Sequence, residues 1–178
     1  NAMSSRFVSI EIYKGNYDAA NRYFTSTFFA NAFLAAVLLP IFTVIIWQLE
    51  YLIEIPAHLV LDVKIAFTIT FVQFLLNVLL SRYEIATFVT NRLYLNQKNT
   101  LIGSALRLLL IIGLFTVFSV KISYLVLATF MGVAFGYAMN LVYTKRYLPQ
   151  MKLRKKDMNF SCIKELLSSG VWSLVNKL

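Results

Sequence analysis

The sequence predicts an all-α integral membrane protein, a bundle of about four transmembrane helices. Of its 178 residues, 59% are hydrophobic and only 14% are charged, whereas soluble domains carry roughly 25% charged residues. The 27 residues between Arg22 and Glu50 and the 23 residues between Lys121 and Lys145 contain no charged side chain. A bilayer core about 30 Å thick needs about 20 helical residues, so each of these runs is long enough to cross it.

Four segments have the length and apolar composition of membrane-spanning helices, with approximate bounds 23–49, 59–81, 99–120 and 122–144. Pro40 lies inside the first segment and predicts a kink there, because proline removes a backbone hydrogen bond of the helix. Tyrosine and tryptophan residues lie near the segment ends, where membrane proteins enrich them. These residues are Tyr23, Trp47, Tyr51, Tyr83, Tyr124, Tyr143 and Tyr147.

Three regions flank these segments. Residues 1–22 are expected to be a cytoplasmic loop, which begins with a tag-cleavage scar, Asn1 and Ala2 before Met3. Residues 145–158 are expected to be a basic cytoplasmic loop. Residues 159–178 carry apolar side chains at helical spacing, which fits an amphipathic helix at the membrane interface or the start of a further membrane helix. We favour the start of a further helix, because the apolar pattern continues to Leu178.

The distribution of lysine and arginine predicts the orientation. Only Lys64 and Lys121 fall on one side of the bundle, together with Glu50, Glu54 and Asp62. Lysine and arginine are in excess in cytoplasmic loops, so the opposite, basic side should be cytoplasmic, with both termini of this segment there. Its twelve basic residues are Arg6, Lys14, Arg22, Arg82, Arg92, Lys98, Lys145, Arg146, Lys152, Arg154, Lys155 and Lys156.

The sequence offers little for metal binding or catalysis. Cys162 and His58 are each the single residue of their kind, and no cluster of Cys, Asp or Glu suggests a metal site. No candidate nucleophile lies beside a suitable base, so neither an enzyme activity nor a cofactor is expected. The net charge of +9 is explained by topology, because the basic residues lie at helix ends. Membrane lipids, and not nucleic acid, are therefore the expected partners.

Arg107 is the charged residue that lies deepest in the predicted spans. It follows Lys98 by nine residues, about 13 Å at a rise of 1.5 Å per residue. A charge at the centre of a membrane helix costs roughly 2.5–3.5 kcal/mol, so Arg107 should face protein or water and not lipid. A guanidinium matches phosphate oxygens with a planar fork of donors, which favours an anion site. The alternatives are snorkelling towards the interface and pairing with a neighbouring helix.

Polar residues lie at a similar depth in all four segments. Asn31, Gln73, Asn77 and Asn140 fall in the cytoplasmic half or near the midplane, as Arg107 does, and the outer halves are almost wholly apolar. A cavity open towards the cytoplasm would produce this pattern, and these five residues are the predicted substrate-binding residues. The alternative for each amide is a hydrogen bond that bridges two membrane helices.

The fourth segment also contains small residues at helical spacing. Gly132 and Gly136 form a G-x-x-x-G motif, which lets two helix backbones approach closely. This motif predicts helix packing within the chain, with self-association as the alternative.

Acidic residues are missing from the interior of the four segments. No Asp or Glu lies well inside any of them. Proton- or sodium-coupled cation exporters bind the cation through buried carboxylates, so their absence favours an anionic cargo.

Three stretches carry a resemblance to a known family. Residues Arg6–Ile10 and Gly15–Thr27 resemble the cytoplasmic loop leading into the third helix of bacterial polysaccharide (O-antigen type) flippases. These flippases belong to the multidrug/oligosaccharidyl-lipid/polysaccharide exporter superfamily. Residues Asn91–Leu93 are similar to the entry of the family's fifth helix, and Lys164–Leu178 to the start of its seventh helix.

The resemblance implies a fragment of a larger multi-helix transporter. The four segments would be helices three to six of roughly twelve to fourteen, and the remaining helices of the parent protein would be partners. The family moves polyprenyl-pyrophosphate-linked oligosaccharide across the inner membrane by alternating access, for surface polysaccharide biosynthesis. Under this interpretation Arg107 would neutralise the pyrophosphate, and the amides would line the cavity for head group and sugars.

Two other functions remain open from the sequence. One is a drug or metabolite exporter of the same superfamily, which buried carboxylates in other helices would support. The other is a small four-helix membrane protein that acts as a scaffold. The length of the parent reading frame would separate the scaffold from both transporters.

Overall fold

The computed structural model describes residues 2–175, and every regular element in that range is helical, which confirms the all-α fold class. The two 3-10 turns are Ser81–Glu84 and Lys155–Asp157. The α-helices are α1 (Ala2–Tyr13), α2 (Tyr17–Trp47), α3 (Leu49–Leu52), α4 (Val60–Leu80), α5 (Ile85–Val89), α6 (Leu93–Val117), α7 (Ile122–Tyr147) and α8 (Phe160–Val175).

Four helical stretches are long and apolar enough to cross a membrane: α2, the continuous stretch Val60–Val89, α6 and α7. The chain is therefore a multi-pass membrane protein. Two of the helices begin earlier than hydropathy predicts, α2 at Tyr17 instead of about residue 23 and α6 at Leu93 instead of about residue 99. A helix can extend beyond the apolar core of the bilayer, and at α2 the Asn16 carboxamide oxygen caps it by accepting from the Ala19 N–H at 3.1 Å.

The membrane helices form a row in the order α2, α4, α7 and α6. Helix α7 packs most extensively on α6 and next on α4, while α2 packs on α4. Their long apolar faces remain largely uncovered, because only 6% to 11% of the residues in the most apolar window of each stretch are buried. Exposed side chains on these faces include Phe33, Leu109 and Val117. Such faces suit contact with lipid or with further membrane helices.

A buried hydrophobic cluster lies at one end of the membrane helices, where the basic segments meet. We call this end of the bundle the basic end. Residues 1–22, expected to be a loop, instead contain helix α1, which ends at a turn through Gly15 with φ of 76°. Helix α1 contributes Val8 and Ile12 to the cluster. The other members are Ala20, Phe24, Ile85, Ala86, Leu148 and Met151.

Polar side chains of α2 hold the segment that follows α7. The Asn21 carboxamide donates to the Gln150 carbonyl and accepts from the Lys152 N–H, both at 3.0 Å. The Tyr23 hydroxyl donates to the Glu165 carboxylate at 2.7 Å, which ties α8 to α2. These bonds fold the basic residues after α7 back over the basic end.

At the opposite end, Asp62 of α4 caps helix α7. Its carboxylate accepts from the N–H of Ile122 at 2.8 Å, from the N–H of Ser123 at 3.2 Å and from the Ser123 hydroxyl. The first N–H groups of a helix lack intrahelical acceptors and carry partial positive charge, so a carboxylate stabilises them. In the sequence Asp62 is only one of several acidic residues on this side of the bundle, whereas in the structure it links α4 to α7.

Arg82 is a buried cation without an acidic partner in the described chain. It is only 3% exposed. Its Nε donates to the Leu79 carbonyl at 3.0 Å and its Nη1 to the Phe24 carbonyl at 3.3 Å, while Nη2 has no partner. The guanidinium carbon lies 4.9 Å from the Phe28 ring centre. Arg82 therefore joins the end of α4 to α2 through carbonyls and aromatic faces.

Replacing Arg82 with alanine should reduce the stability of the full-length protein by about 2 kcal/mol, because charged hydrogen bonds and a desolvated cation–π contact are lost together. Thermal unfolding in detergent measures the change. Arg154→Ala removes an exposed arginine of the same end and is the matched control, with an effect within about 0.5 kcal/mol. Equal melting temperatures for the two variants would show that Arg82 does not hold α2 to α4.

Candidate substrate-binding pocket

A pocket of about 440 Å³ lies between α6 and α7. Most of its lining residues have polar side chains, and they include one cation, one anion and four amides beside three glycines. From α6 come Asn96, Gln97, Asn99, Thr100, Gly103, Ser104 and Arg107, from α7 come Thr129, Gly132, Val133, Gly136, Tyr137 and Asn140, and Glu84 precedes α5.

The two helices touch through their backbones beside this pocket. A Cβ atom on Gly103 would lie 2.7 Å from the Gly132 carbonyl oxygen, and one on Gly132 would lie 2.6 Å from the Gly103 carbonyl oxygen. No side chain fits at either position. At Gly136, by contrast, an added Cβ would meet no heavy atom within 4 Å.

The packing role predicted for the Gly132–Gly136 pair therefore belongs to Gly132 and Gly103. Gly136 keeps part of the pocket open because it has no side chain. The G-x-x-x-G motif pairs Gly132 with Gly136 because both lie on α7. The glycine that Gly132 contacts, Gly103, lies on α6.

Arg107 is placed on the pocket wall immediately beside this contact. Its Cβ lies 3.4 Å from where a Cβ on Gly132 would be, and its side chain is exposed. Within residues 2–175 the ion pairs are Lys14–Glu11 and Lys64–Glu50, so Arg107 has no acidic partner there. The guanidinium is available to an anion that enters the pocket.

Amide groups with unpaired atoms lie at the basic end of the pocket. Asn99 and Asn140 are 4% and 6% exposed. The Asn99 Nδ2, the Asn140 Oδ1 and the Asn96 Oδ1 have no hydrogen-bond partner. The Asn99 Oδ1 is occupied, because the Tyr143 hydroxyl donates to it at 3.1 Å. Buried polar atoms normally have a hydrogen-bond partner, so three unpaired atoms on residues of one wall suit a polar ligand.

Glu84 brings a carboxylate to the same wall, which differs from the carboxylate-free lining that the sequence analysis expected. The residue lies near the end of the Val60–Val89 stretch, outside the interior of the predicted span. Thr144 donates to the neighbouring Tyr83 carbonyl at 3.1 Å, which places Glu84 beside the basic end of α7.

The other predicted binding residues do not line this pocket. Asn31 donates to the Val78 carbonyl at 2.7 Å and so bridges α2 and α4. Gln73 is half-buried and Asn77 is exposed, and neither belongs to the pocket wall. Of the five predicted residues, the pocket between α6 and α7 therefore brings together Arg107 and Asn140. A common depth says nothing about which way each helix face is turned.

The sequence analysis missed Asn96, Asn99 and Tyr143 as site residues. Asn96 and Asn99 precede Arg107 by eleven and eight residues, which at 3.6 residues per turn puts all three on one side of α6. The predicted span began at residue 99, and the helix reaches back to Leu93, so this stripe was cut in two. In the described part of the chain no group of three or more His, Cys, Asp or Glu could hold a metal ion.

The chain is similar to one curated protein, described as an uncharacterized membrane protein EpsK of Bacillus subtilis (strain 168). The two are 28% identical over 173 residues, which cover 97% of this chain. The chain spans 34% of the length of that relative. No family model matches the chain, and no solved structure matches it.

The two glycines of α7 should respond differently to alanine. Gly132→Ala forces a methyl group against the Gly103 carbonyl and should destabilise the full-length protein by about 1–3 kcal/mol. Gly136→Ala meets open space and should leave stability unchanged or raise it slightly, because alanine favours the helix. Thermal unfolding of both variants in detergent tests this, and equal destabilisation would contradict the assigned contact.

Proposed function

We propose that this chain is part of a transporter that moves polyprenyl-pyrophosphate-linked oligosaccharide across the bacterial inner membrane for surface polysaccharide biosynthesis. The observation that carries the proposal is Arg107, an unpaired cation on a polar pocket between two apolar membrane helices.

The chemistry of Arg107 suits the pyrophosphate of such a lipid. A guanidinium binds phosphate oxygens through two parallel hydrogen bonds, and this pairing strengthens where water is scarce. A charged residue inside a membrane span is costly and is usually kept for a substrate or ion pathway. The protein recovers that cost when an anion occupies the pocket.

The surroundings of the pocket suit the lipid part of the substrate. Leu108, Leu109 and Ile112 follow Arg107 on α6 and are exposed. A polyprenyl chain can stay among lipid against these side chains while its polar head group enters the pocket. Only the head group then has to cross the apolar interior inside the protein.

The resemblance to polysaccharide flippases supports the same assignment. The similarity to a membrane protein of which this chain spans 34% supports only the part of the proposal that the chain belongs to a longer membrane protein. The uncovered apolar faces of α2 and α6 would pack against the remaining helices of the parent protein. Transport of this kind changes no covalent bond, so no enzymatic activity and no cofactor are part of the proposal.

Glu84 supports a second candidate, a drug or metabolite exporter of the same superfamily. A carboxylate on the pocket wall can bind a cationic compound or a coupling cation. The two candidates differ in which charged residue of the pocket is essential.

Arg107→Ala in the full-length parent should reduce surface glycan at least tenfold, because the paired hydrogen bonds to pyrophosphate are lost. Glycan is quantified in cells in which the variant replaces the native gene, with its membrane level measured by immunoblot. Arg107→Lys keeps the positive charge but loses the planar pair of N–H donors, so it should have intermediate activity.

Leu101→Ala changes a 73% exposed residue of the same helix, outside the pocket wall, and is the matched control for insertion and folding. It should keep normal glycan export. Full export by Arg107→Ala, with loss of a drug-resistance or metabolite phenotype in Glu84→Gln, would replace the flippase proposal by the exporter.

The orientation belongs to the same proposal, with the basic end in the cytoplasm. In a cysteine-free parent, a cysteine at position 57, between α3 and α4, should react with an impermeant maleimide in intact spheroplasts. A cysteine at position 156 in the basic segment should react only after permeabilisation. Both Ala57 and Lys156 are exposed, so accessibility to the reagent depends on the side of the membrane alone. The reverse labelling pattern would invert the topology.

A further inference from the structure

The basic end of the pocket contains more polar recognition chemistry than a pyrophosphate uses. Arg107 suffices as a donor to phosphate, yet the lining residues also hold two buried, unpaired amide oxygens, from Asn96 and Asn140, and one buried, unpaired amide nitrogen, from Asn99. Amide oxygens only accept hydrogen bonds, and they do not bind phosphate oxygens, which are acceptors as well. These atoms need a ligand that both donates and accepts.

We propose that Asn96, Asn99 and Asn140 form a subsite for one uncharged sugar ring of the transported lipid, next to the pyrophosphate site at Arg107. This inference rests on the proposed function. Sugar hydroxyls donate and accept, and an acetamido group does both through its N–H and C=O. Either group can pair with two free acceptors and one free donor.

Tyr143 fixes which atom of Asn99 is presented to the sugar. Its hydroxyl donates to the Asn99 Oδ1 at 3.1 Å, so the Nδ2 is the group that remains free. Tyr143 is itself 8% exposed and held inside the protein. Tyr143 is therefore a positioning residue: it sets the amide orientation and leaves contact with the sugar to Asn99.

The spacing along α6 agrees with a sugar joined to pyrophosphate. Asn99 and Arg107 are eight residues apart, about 12 Å along the helix axis. Long side chains in helices point back towards the N-terminus, which brings the Arg107 guanidinium closer to Asn99. A sugar ring then fits beside the amides, and its phosphate link lies nearer the guanidinium.

Glu84 sets the charge of the sugar. Its carboxylate lines the same pocket at the basic end of α7, near Asn140. An acidic sugar would bring a second negative charge to this wall and be repelled, whereas the hydroxyl groups of a neutral ring can donate hydrogen bonds to the Glu84 carboxylate. The subsite therefore selects uncharged sugars.

The test uses the full-length parent in nanodiscs and five lipid probes. They are undecaprenyl pyrophosphate alone and the same lipid carrying one glucose, galactose, N-acetylglucosamine or glucuronic acid. Binding is measured by fluorescence titration. At least one neutral sugar should lower the Kd about tenfold relative to the bare lipid, and glucuronic acid should give no gain.

The variants separate the two sites. Asn99→Ala and Asn140→Ala should each cut the gain from the sugar about fivefold, as expected for one lost hydrogen bond, and leave the Kd of the bare lipid within twofold. Tyr143→Phe should reduce the same gain without affecting the bare lipid, which a merely structural role would not do. Asn77→Ala removes an exposed amide outside the pocket and should change nothing.

Gel filtration and the amount of protein in the membrane show whether each variant folds. If Asn99→Ala fails to fold, Asn96→Ala tests the subsite instead, because Asn96 is only half-buried. The sugar subsite is overturned if no neutral sugar improves binding, or if the gain persists in the triple alanine variant. The proposed function fails separately if the bare lipid does not bind or binds equally well to Arg107→Ala. Methyl glycosides of the same sugars, which carry no phosphate, then test the subsite alone.

Discussion

The backbone contact between α6 and α7 determines the geometry of the candidate site. At Gly103 and Gly132 each helix presents a carbonyl oxygen where the other has no room for a Cβ. Without a hydrophobic force between helices in lipid, such small residues are what allow van der Waals packing to hold two helices together. The polar residues of both helices can line one pocket only because the axes come this close. Arg107 is tied most directly to this contact, since its own Cβ borders Gly132.

The structure divides the work of stability and of recognition between its two parts. Hydrophobic burial is concentrated at the basic end, where α1 and the segment after α7 pack on α2 and α5. The membrane stretches bury little of their own surface and leave it for lipid and other helices. Polar side chains that would cost free energy if they faced lipid have one of two places. Asn31 and Arg82 form hydrogen bonds to a neighbouring helix, and others lie on the pocket wall. The buried hydrophobic cluster at the basic end is thus separate from the pocket, which α6 and α7 form by packing on each other.

Most of the fold could be predicted from the sequence, and less of the site. Long charge-free runs identify membrane helices because the bilayer penalises charge, so the four spans followed directly. Helix α1 was missed because its buried face combines Ser4 and Ser9 with Val8 and Ile12, so no continuous apolar stripe marks it. Depth selected Arg107 and Asn140, which lie on the wall of the α6–α7 pocket, but it could not tell that Gln73 and Asn77 lie outside that wall. Gly103 and Asp62 act through partners far along the chain, and no local pattern contains that information.

The cap that Asp62 places on α7 also has a consequence for the order in which contacts form. Donor and acceptor are about 60 residues apart along the chain, and α6 is synthesised between them. The bond can form only after α6 and the start of α7 have been made. Until then water can solvate the first N–H groups of α7, because this end of the helix is exposed. The cap therefore forms late, and it then fixes the start of α7 to α4.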